Sequence, residues 1–335
     1  MFQTSKPLFF ICETPLHAGS GSDLGIVDLP IQREKHTGFP KIESSSLKGA
    51  IREAVEGKLG VNTPIVNALF GPEDANNDAH MGALGFSDAR LLLFPVKSMK
   101  GVFAWVTCPK VLQQFERDMR ICNKDFKLNA IPANPNDGEC YLLTEDSKVT
   151  IPNGQHKSVL LEEYAFKVQS VQTINVIEAQ GQERGEMNLH GWLACYTSEQ
   201  TFFQDKMMED IVILSNDDFK DFVNLSTEVI TRTAIDNDKG TVKPGALFTE
   251  EFLPAESVMY SLVMASPLFV DNKAKEGERS KKAKVIDEIN AIQGITATDD
   301  EDKKVLAAFI KNLPSVMQIG GNATLGKGIV RTKIN

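Results

Sequence analysis

The sequence predicts an α+β fold, a split β-α-β-β-α-β core with long insertions. Three features of the 335-residue chain lead there. Strands and helices interleave without the regular β-α-β cadence of a doubly wound sheet. A strongly amphipathic helix follows the first strand after a long loop. Two helical stretches near the end of the chain lead into a closing pair of strands around a glycine-rich loop. No internal repeat is present.

Residues 7–16 read as a strand, and 17–43 as a loop rich in glycine and charge. In SSSLKGAIREAVEGKLG, Leu47, Ile51, Val55 and Leu59 recur every four residues; the serines are N-cap candidates and Gly60 ends the run. GALGFSDARLLLFPVKSMKGVFAWVT reads as two strands joined around 96–101. PKVLQQFERDMRIC is a helix with Pro109 in its first turn. Residues 130–160, rich in Pro, Asn, Asp and Gly, read as loops with short strands, DIVILS as a buried strand, and NDDFKDFVNL as a short helix capped by Asn216. Residues 226–254 show two extended arms around Asn237-Asp238-Lys239-Gly240, a hairpin signal. AESVMYSLVMA is a near-continuous apolar strand. NKAKEGERSKKAK reads as a solvated surface segment, and VIDEINAIQ and DDEDKKVLAAFIKNL as helices.

Hydrophobic residues make up 42% of the chain and charged residues 24%, ordinary values for a soluble globular protein with an ample core. No apolar run approaches the ~20 residues of a membrane span. The N-terminal apolar run is better read as a strand than as a signal peptide. Five scattered cysteines without a C-x-x-C pair point to a reducing cytoplasm, with neither a disulfide framework nor a structural zinc. The net charge of −9 argues against a nucleic-acid partner, but its distribution does not. Residues 31–52 hold five basic side chains against two acidic ones, and 327–335 hold Lys327, Arg331 and Lys333 with no acid.

GGNATLGKG, from Gly320, contains the G-x-x-x-x-G-K pattern of a phosphate-binding loop. Gly328 stands where the magnesium-binding Ser or Thr should be, and IVRTKIN after it reads as a strand instead of a helix, so an NTPase is disfavoured. The loop is then either a close approach to some other phosphate or a tight turn. A second candidate region is LHAGSGSDLGIVDLPIQREKHTGFPKIESSSLKGAIR, a loop long enough to suggest binding. It holds His17, Asp23, Asp28, Arg33 and His36 and feeds a helix start, at Ser44–Ser46, whose free N–H groups favour phosphate. Each element also has a plain reading: turn or cap residues for the aspartate and serines, surface positions for the histidines, and a solvated row for Lys48 and Arg52.

The string GSDLGIVDLPIQREKHTGFPKIESSSLKGAIR, with LFG at 69–71, FSDARLLLFPVKSMKGVFAWVT, the 226–254 segment and GGNATLGKGIVR, resembles the RAMP-superfamily backbone subunits of the Cmr complex, the type III-B CRISPR effector. The matches run from the first strand to the last. The resemblance implies a single RAMP domain over 1–335: a modified RRM-like, ferredoxin-type palm from about 1–60, 82–107 and 254–335. It further implies a β-hairpin thumb at about 226–253, an active-site loop at 17–44, and insertions with remaining core elements at 108–225. It implies copies stacked in a helical filament on guide CRISPR RNA, beside other Cmr subunits. Each thumb would splay a base pair of the guide–target duplex, and target RNA would be cut at regular intervals in a reaction dependent on Mg²⁺ or Mn²⁺ held with RNA in place. Carried over by residue, Asp28 is the catalytic and metal-binding aspartate and His17 the histidine acting with it. Arg33, Ser45, Ser46, Lys48, Arg52, Gly321, Gly326, Lys327 and Gly328 are expected on RNA, and the thumb acid falls loosely on Glu250 or Glu251. The implied chemistry is in-line attack by the RNA 2′-OH, leaving a 2′,3′-cyclic phosphate and a 5′-hydroxyl. Two other readings are a guide-coating scaffold that does not cut, and a metal-independent CRISPR-RNA-processing endonuclease of the same superfamily, whose activity would survive EDTA.

Overall fold

The first strand, Thr4–Cys12, is buried along its last six residues because strands flank it on both sides and helices cover it. Val258–Ala265 and Ile329–Ile334 are its neighbours, both antiparallel, with Leu8 opposite Ser261 on one side and Ile334 on the other. Val258–Ala265 pairs in turn with Ala89–Lys97, again antiparallel. The structure, a computed structural model, describes residues 2–23, 25–73, 80–180, 183–236, 238–243, 246–269, 276–292 and 300–334.

Within it, strand Thr4–Cys12, helix Ser44–Leu59, strands Ala89–Lys97 and Val258–Ala265, helix Glu301–Asn312 and strand Ile329–Ile334 follow one another as β-α-β-β-α-β. Their order across the sheet is fourth, first, third, second. Residues 98–257 all lie between the second and third of these strands. They add six strands, Phe103–Thr107, Ile211–Leu214, Glu139–Leu142, Tyr164–Val171, His156–Leu161 and Thr150–Asn153 in that order, and with Lys41–Ile42, Leu84–Phe86 and Val316–Gln318 the sheet has 13 strands among the described residues. The architecture is a mixed α+β fold around a large mixed sheet.

Helix Ser44–Leu59 buries Leu47, Ile51 and Val55 against this sheet and against helix Glu301–Asn312. Its start corrects the sequence reading: no serine caps it. Glu43 stands at the cap position without a side-chain bond, and two distant side chains hold the entry instead. The Asp88 carboxylate accepts from Ser44 N (2.9 Å), and Gln32 Oε1 accepts from Glu43 N (2.7 Å). A similar shift occurs at helix Asn216–Leu225, where Ser215, not Asn216, accepts from the Asp218 amide. Residues 276–284 of the basic segment form the first part of helix Glu276–Asn290, while Lys273 and Lys275 lie outside the described residues. Helices Leu189–Thr197 and Thr201–Glu209 fill a stretch that the sequence pattern left unassigned.

A separate hairpin rises at 228–252. Glu228–Arg232 pairs with Phe248–Phe252, and Ile235–Asp236 pairs with Thr241–Val242 further out; Asn237 lies outside the described residues. Among the described residues no helix is long and apolar enough to cross a membrane, and all five cysteines are free.

Candidate functional site at the base of the hairpin

The return strand of the hairpin, Phe248–Phe252, organises the site, because successive side chains of a strand point to opposite faces. Glu250 goes one way and is buried. Its Oε1 accepts from Asn322 Nδ2 (2.5 Å) and lies 3.6 Å from His17 Nε2. Arg232 Nε approaches Oε2 to 2.7 Å, an ion pair whose N–H is not aimed for a hydrogen bond. Glu251 goes the other way and is equally buried. It accepts from Ile31 N (2.9 Å) and Thr227 Oγ1 (2.7 Å) and pairs with the Arg33 guanidinium.

The loop at 28–31 runs beside this strand: Leu29 N donates to Thr249 O, and Glu251 N donates to Leu29 O, each at 3.0 Å. Asp28 is thereby brought to Thr249. One carboxylate oxygen, Oδ2, accepts from Thr249 N (2.7 Å) and from Thr249 Oγ1 (2.8 Å). The Asp28 amide donates back to the same hydroxyl oxygen (3.0 Å). The side chain is solvent-exposed, and the Thr249 amide, then the Thr249 hydroxyl, hold its carboxyl below the usual carboxylate range. Asp28 is therefore ionised at neutral pH, and Oδ1 has no partner among the described residues.

His17 occupies a different environment. Its Nδ1 lies 2.7 Å from the Glu251 carbonyl, which can only accept, so Nδ1 carries the hydrogen. The ring is 9% exposed and packs against Phe252, with centroids 5.6 Å apart. With Nδ1 on a carbonyl and Nε2 facing Glu250, the imidazole is enclosed. No hydrogen bond or ion pair joins it to Asp28 among the described residues.

The glycine-rich loop closes over His17. It joins Val316–Gln318 to Ile329–Ile334, an antiparallel pair, with a 3₁₀ turn at Ala323–Leu325; this is a hairpin loop and not the strand-to-helix loop of an NTPase. Gly321 N donates to His17 O (2.9 Å). At Gly320 a side chain is excluded, since a Cβ would lie 2.2 Å from His17 O and φ is +82°. Gly321 and Gly326 are exposed and Gly328 is buried in the loop. Lys327 Nζ lies 4.9 Å from the centre of the Phe252 ring, on the same cluster.

The basic residues of the other candidate region divide into two groups. Ser45 and Ser46 are exposed at the helix start, and their amides have no acceptor among the described residues. Lys48 is half-buried, and that burial, with Arg52 nearby, lowers its pKa. Arg33 and Arg52, expected on RNA, have their donors engaged within the protein. Arg33 donates to Gly38 O, Val223 O and Asn224 Oδ1 at 2.8–2.9 Å besides pairing with Glu251. Arg52 binds Glu56, Gly71 O, Asn62 and Asn67. Both act as internal struts in this arrangement.

No cluster of three or more His, Cys, Asp or Glu side chains able to hold a metal occurs among the described residues. Asp28 Oδ1, an exposed carboxylate oxygen without a partner among the described residues, is of the donor type a hard divalent ion takes, with its other ligands to come from water and substrate. Sequence reasoning missed Thr249, Arg232, Asn322 and Phe252. The one available signal was the alternation in TEEF at 249–252, which sends adjacent acids to opposite faces.

Comparison with known proteins is consistent along the whole chain. Residues 9–331 match the RAMP superfamily. The chain is 33% identical over 325 residues, 96% of its length and 92% of the relative's, to the "CRISPR system Cmr endoribonuclease Cmr4" of Pyrococcus furiosus. It is similar to the crystal structure of oligomeric Cmr4 from Pyrococcus furiosus, with TM-score 0.59, 26% identity and coverage of 99% and 98% of the two chains. A cryo-EM structure of the type III-B Cmr-beta complex bound to cognate target RNA contains a chain of the same fold, with TM-score 0.66, 19% identity and coverage of 99% and 98%.

Proposed function

From a chain that belongs to the RAMP superfamily and is similar throughout to Cmr4 subunits, we propose a guide-RNA-binding backbone subunit of a type III-B CRISPR effector that cleaves complementary target RNA. The observation that carries cleavage is the exposed, ionised Asp28 carboxylate, held by one oxygen on the hairpin and open at the other.

In this reading the four-stranded β-α-β-β-α-β set is an RRM-like palm, and the hairpin at 228–252 is a thumb. Copies stack head to tail along the guide in the cytoplasm, beside other subunits of the complex. Lys327, with the exposed Ser45 and Ser46 amides, Lys48 and the backbone at Gly321, Gly326 and Gly328, lies along the guide phosphates, which carry no sequence information; base pairing supplies specificity. The exposed apolar residues Val229, Ile235, Val242 and Leu247 of the hairpin are suited to wedge against unstacked bases.

The reaction needs little covalent help from the protein. The substrate's own 2′-OH is the nucleophile once a splayed nucleotide brings it in line with the scissile phosphate. Asp28 is the residue that would hold a divalent ion, which would supply charge neutralisation at the phosphate. The chain's residues fix direction: Thr249 holds Asp28, and Glu250 and Glu251 hold the strand that carries Thr249. His17 positions the strand and the glycine loop; its enclosed ring is badly placed to move a proton.

The test is a reconstituted complex with guide and target RNA. Asp28→Asn should bind guide and target as the wild type does and lose cleavage by about 10²-fold or more. Products should end in a 2′,3′-cyclic phosphate and a 5′-hydroxyl, and EDTA should stop the reaction. An Asp28→Asn complex that cuts at the wild-type rate, or products with 3′-hydroxyl and 5′-phosphate ends, would overturn the reading.

A further inference from the structure

We infer that Thr249 is a positioning residue for target-RNA cleavage, its side-chain hydroxyl setting the direction in which Asp28 presents its free carboxylate oxygen. The inference rests on the assignment of Asp28 above.

An exposed aspartate ordinarily samples several rotamers, so one that must meet a phosphodiester needs its orientation supplied from outside. Here Oδ2 is pinned twice by one residue, through the Thr249 amide (2.7 Å) and the Thr249 hydroxyl (2.8 Å). The same Oγ1 accepts the Asp28 amide (3.0 Å), so a single hydroxyl both donates to the side chain and accepts from the backbone of the residue it holds. Only Ser and Thr combine donor and acceptor on so short a side chain at this position of a strand. The contact fixes both ends of the Asp28 side chain. With Oδ2 occupied, the position of Oδ1 is determined.

The mount is rigid for reasons visible in the neighbouring residues. Glu250 ties one face of the strand to Arg232 and Asn322, and Glu251 ties the other to Arg33, Thr227 and Ile31 N. Thr249 directly precedes these two buried anchors on the strand, while its own side chain reaches Asp28 in the exposed loop. The hairpin that carries Thr249 also carries the exposed apolar residues proposed to meet the splayed bases, so the piece that engages the duplex is the piece that orients Asp28.

Thr249→Val keeps the shape of the side chain and removes both hydroxyl interactions, and Thr249→Ser restores them. Three readouts are made on the assembled complex with guide and target RNA: the single-turnover cleavage rate, the Kd for target RNA, and hydrogen exchange of the free and assembled protein. Thr249→Val should lower the single-turnover rate by about 10- to 100-fold, the loss of one charge-assisted hydrogen bond, with the target Kd unchanged. Thr249→Ser should return the rate to within about threefold of wild type. Exchange should rise at the Asp28 amide, which donates to the hydroxyl, and stay unchanged at 228–232 across the hairpin.

Wild-type cleavage by Thr249→Val would overturn the positioning role. So would failure of Thr249→Ser to restore the rate, or faster exchange throughout 228–232, which would make the hydroxyl a prop for the hairpin. Asp28→Asn, assayed alongside, separates the two levels. If it abolishes cleavage while Thr249→Val does not, only the role of Thr249 falls; if it cuts normally, the assignment of Asp28 falls with it.

Discussion

Replacing Arg33 with methionine separates a strut from an RNA contact. The guanidinium pairs with Glu251, of which only 6% of the side chain is exposed, and it donates to Gly38 O, Val223 O and Asn224 Oδ1. Methionine keeps much of the stem but leaves the Glu251 carboxylate buried with only Thr227 and Ile31 N as donors. Breaking one side of such a pair costs about 3 kcal/mol, since the surviving charge stays buried. At about 2.1 cal/mol/K per residue, unfolding 335 residues carries an entropy of about 0.7 kcal/mol/K, so Tm should fall by about 4 °C. Calorimetry of the isolated protein reads this directly. Guide-RNA affinity, measured from about 50 to 200 mM salt, gives the second coordinate: the log–log slope should be unchanged if the guanidinium, already engaged within the protein, is not a phosphate contact. Lys327→Met is the counterpart, losing about 0.7 from that slope for one single-strand phosphate contact while leaving Tm nearly unchanged. An Arg33→Met protein with wild-type Tm and a slope reduced by about 0.7 would refute the assignment and restore the expectation drawn from the sequence.

Two further outcomes follow from the structure. Gly328→Ala would place a Cβ 2.0 Å from the Ile319 carbonyl oxygen at φ +73°, whereas Gly326→Ala, at φ +69°, meets nothing within 4 Å. Urea unfolding should show a loss of about 1 kcal/mol for Gly326→Ala and of about 3 kcal/mol or more for Gly328→Ala, and equal losses would contradict the packing argument. Burial pushes the thiols of Cys12, Cys108 and Cys140 up to about 12 and that of the partly buried Cys122 up to about 11, while Cys195 is exposed. Brief alkylation at pH 8 followed by mass spectrometry should therefore give a single adduct, on Cys195. Between the unfolded value near 9 and the folded values the native state holds protons that the unfolded chain releases, so the stability from these thiols is complete below pH 9 and lost as pH rises toward 12.

What could be read from the sequence was whatever depends on near neighbours. The four-residue recurrence of Leu47, Ile51 and Val55 marks a buried helix face because that period is local, and Leu8 to Cys12 reads as a strand because the whole run is apolar. Strand order was harder to see, because residues 98–257 separate two strands that lie side by side. The cap of helix Ser44–Leu59 failed for the same reason: the side chains that hold its start are Gln32 and Asp88, the latter next to the strand that pairs with Lys41–Ile42, and a serine in the expected place could not show that. Charge was the least legible quantity. Arg33 and Arg52 look alike to Lys327 in the sequence, yet the two arginines are enclosed by acceptors at separations of 4 to 218 residues, while the lysine stands over an aromatic ring beside the glycine loop. A sequence records which residues bear charge; only the fold determines whether that charge is already answered.

Burial also decides what the two adjacent glutamates do. A carboxylate that reacts must reach the substrate, and one that holds a strand must be surrounded by donors. Glu250 and Glu251 are both under 6% exposed and both surrounded. Asp28 is the reverse case, exposed and held at a single oxygen. On the proposed reading of Asp28, the arrangement puts structural charge and working charge in one five-residue strand and the loop beside it. The buried acids fix the strand, the strand fixes Thr249, and Thr249 holds a carboxylate that, in the proposed role, could not be buried without losing its access to RNA. An exposed catalytic group can be as well ordered as a buried one when a neighbouring element carries the burial on its behalf.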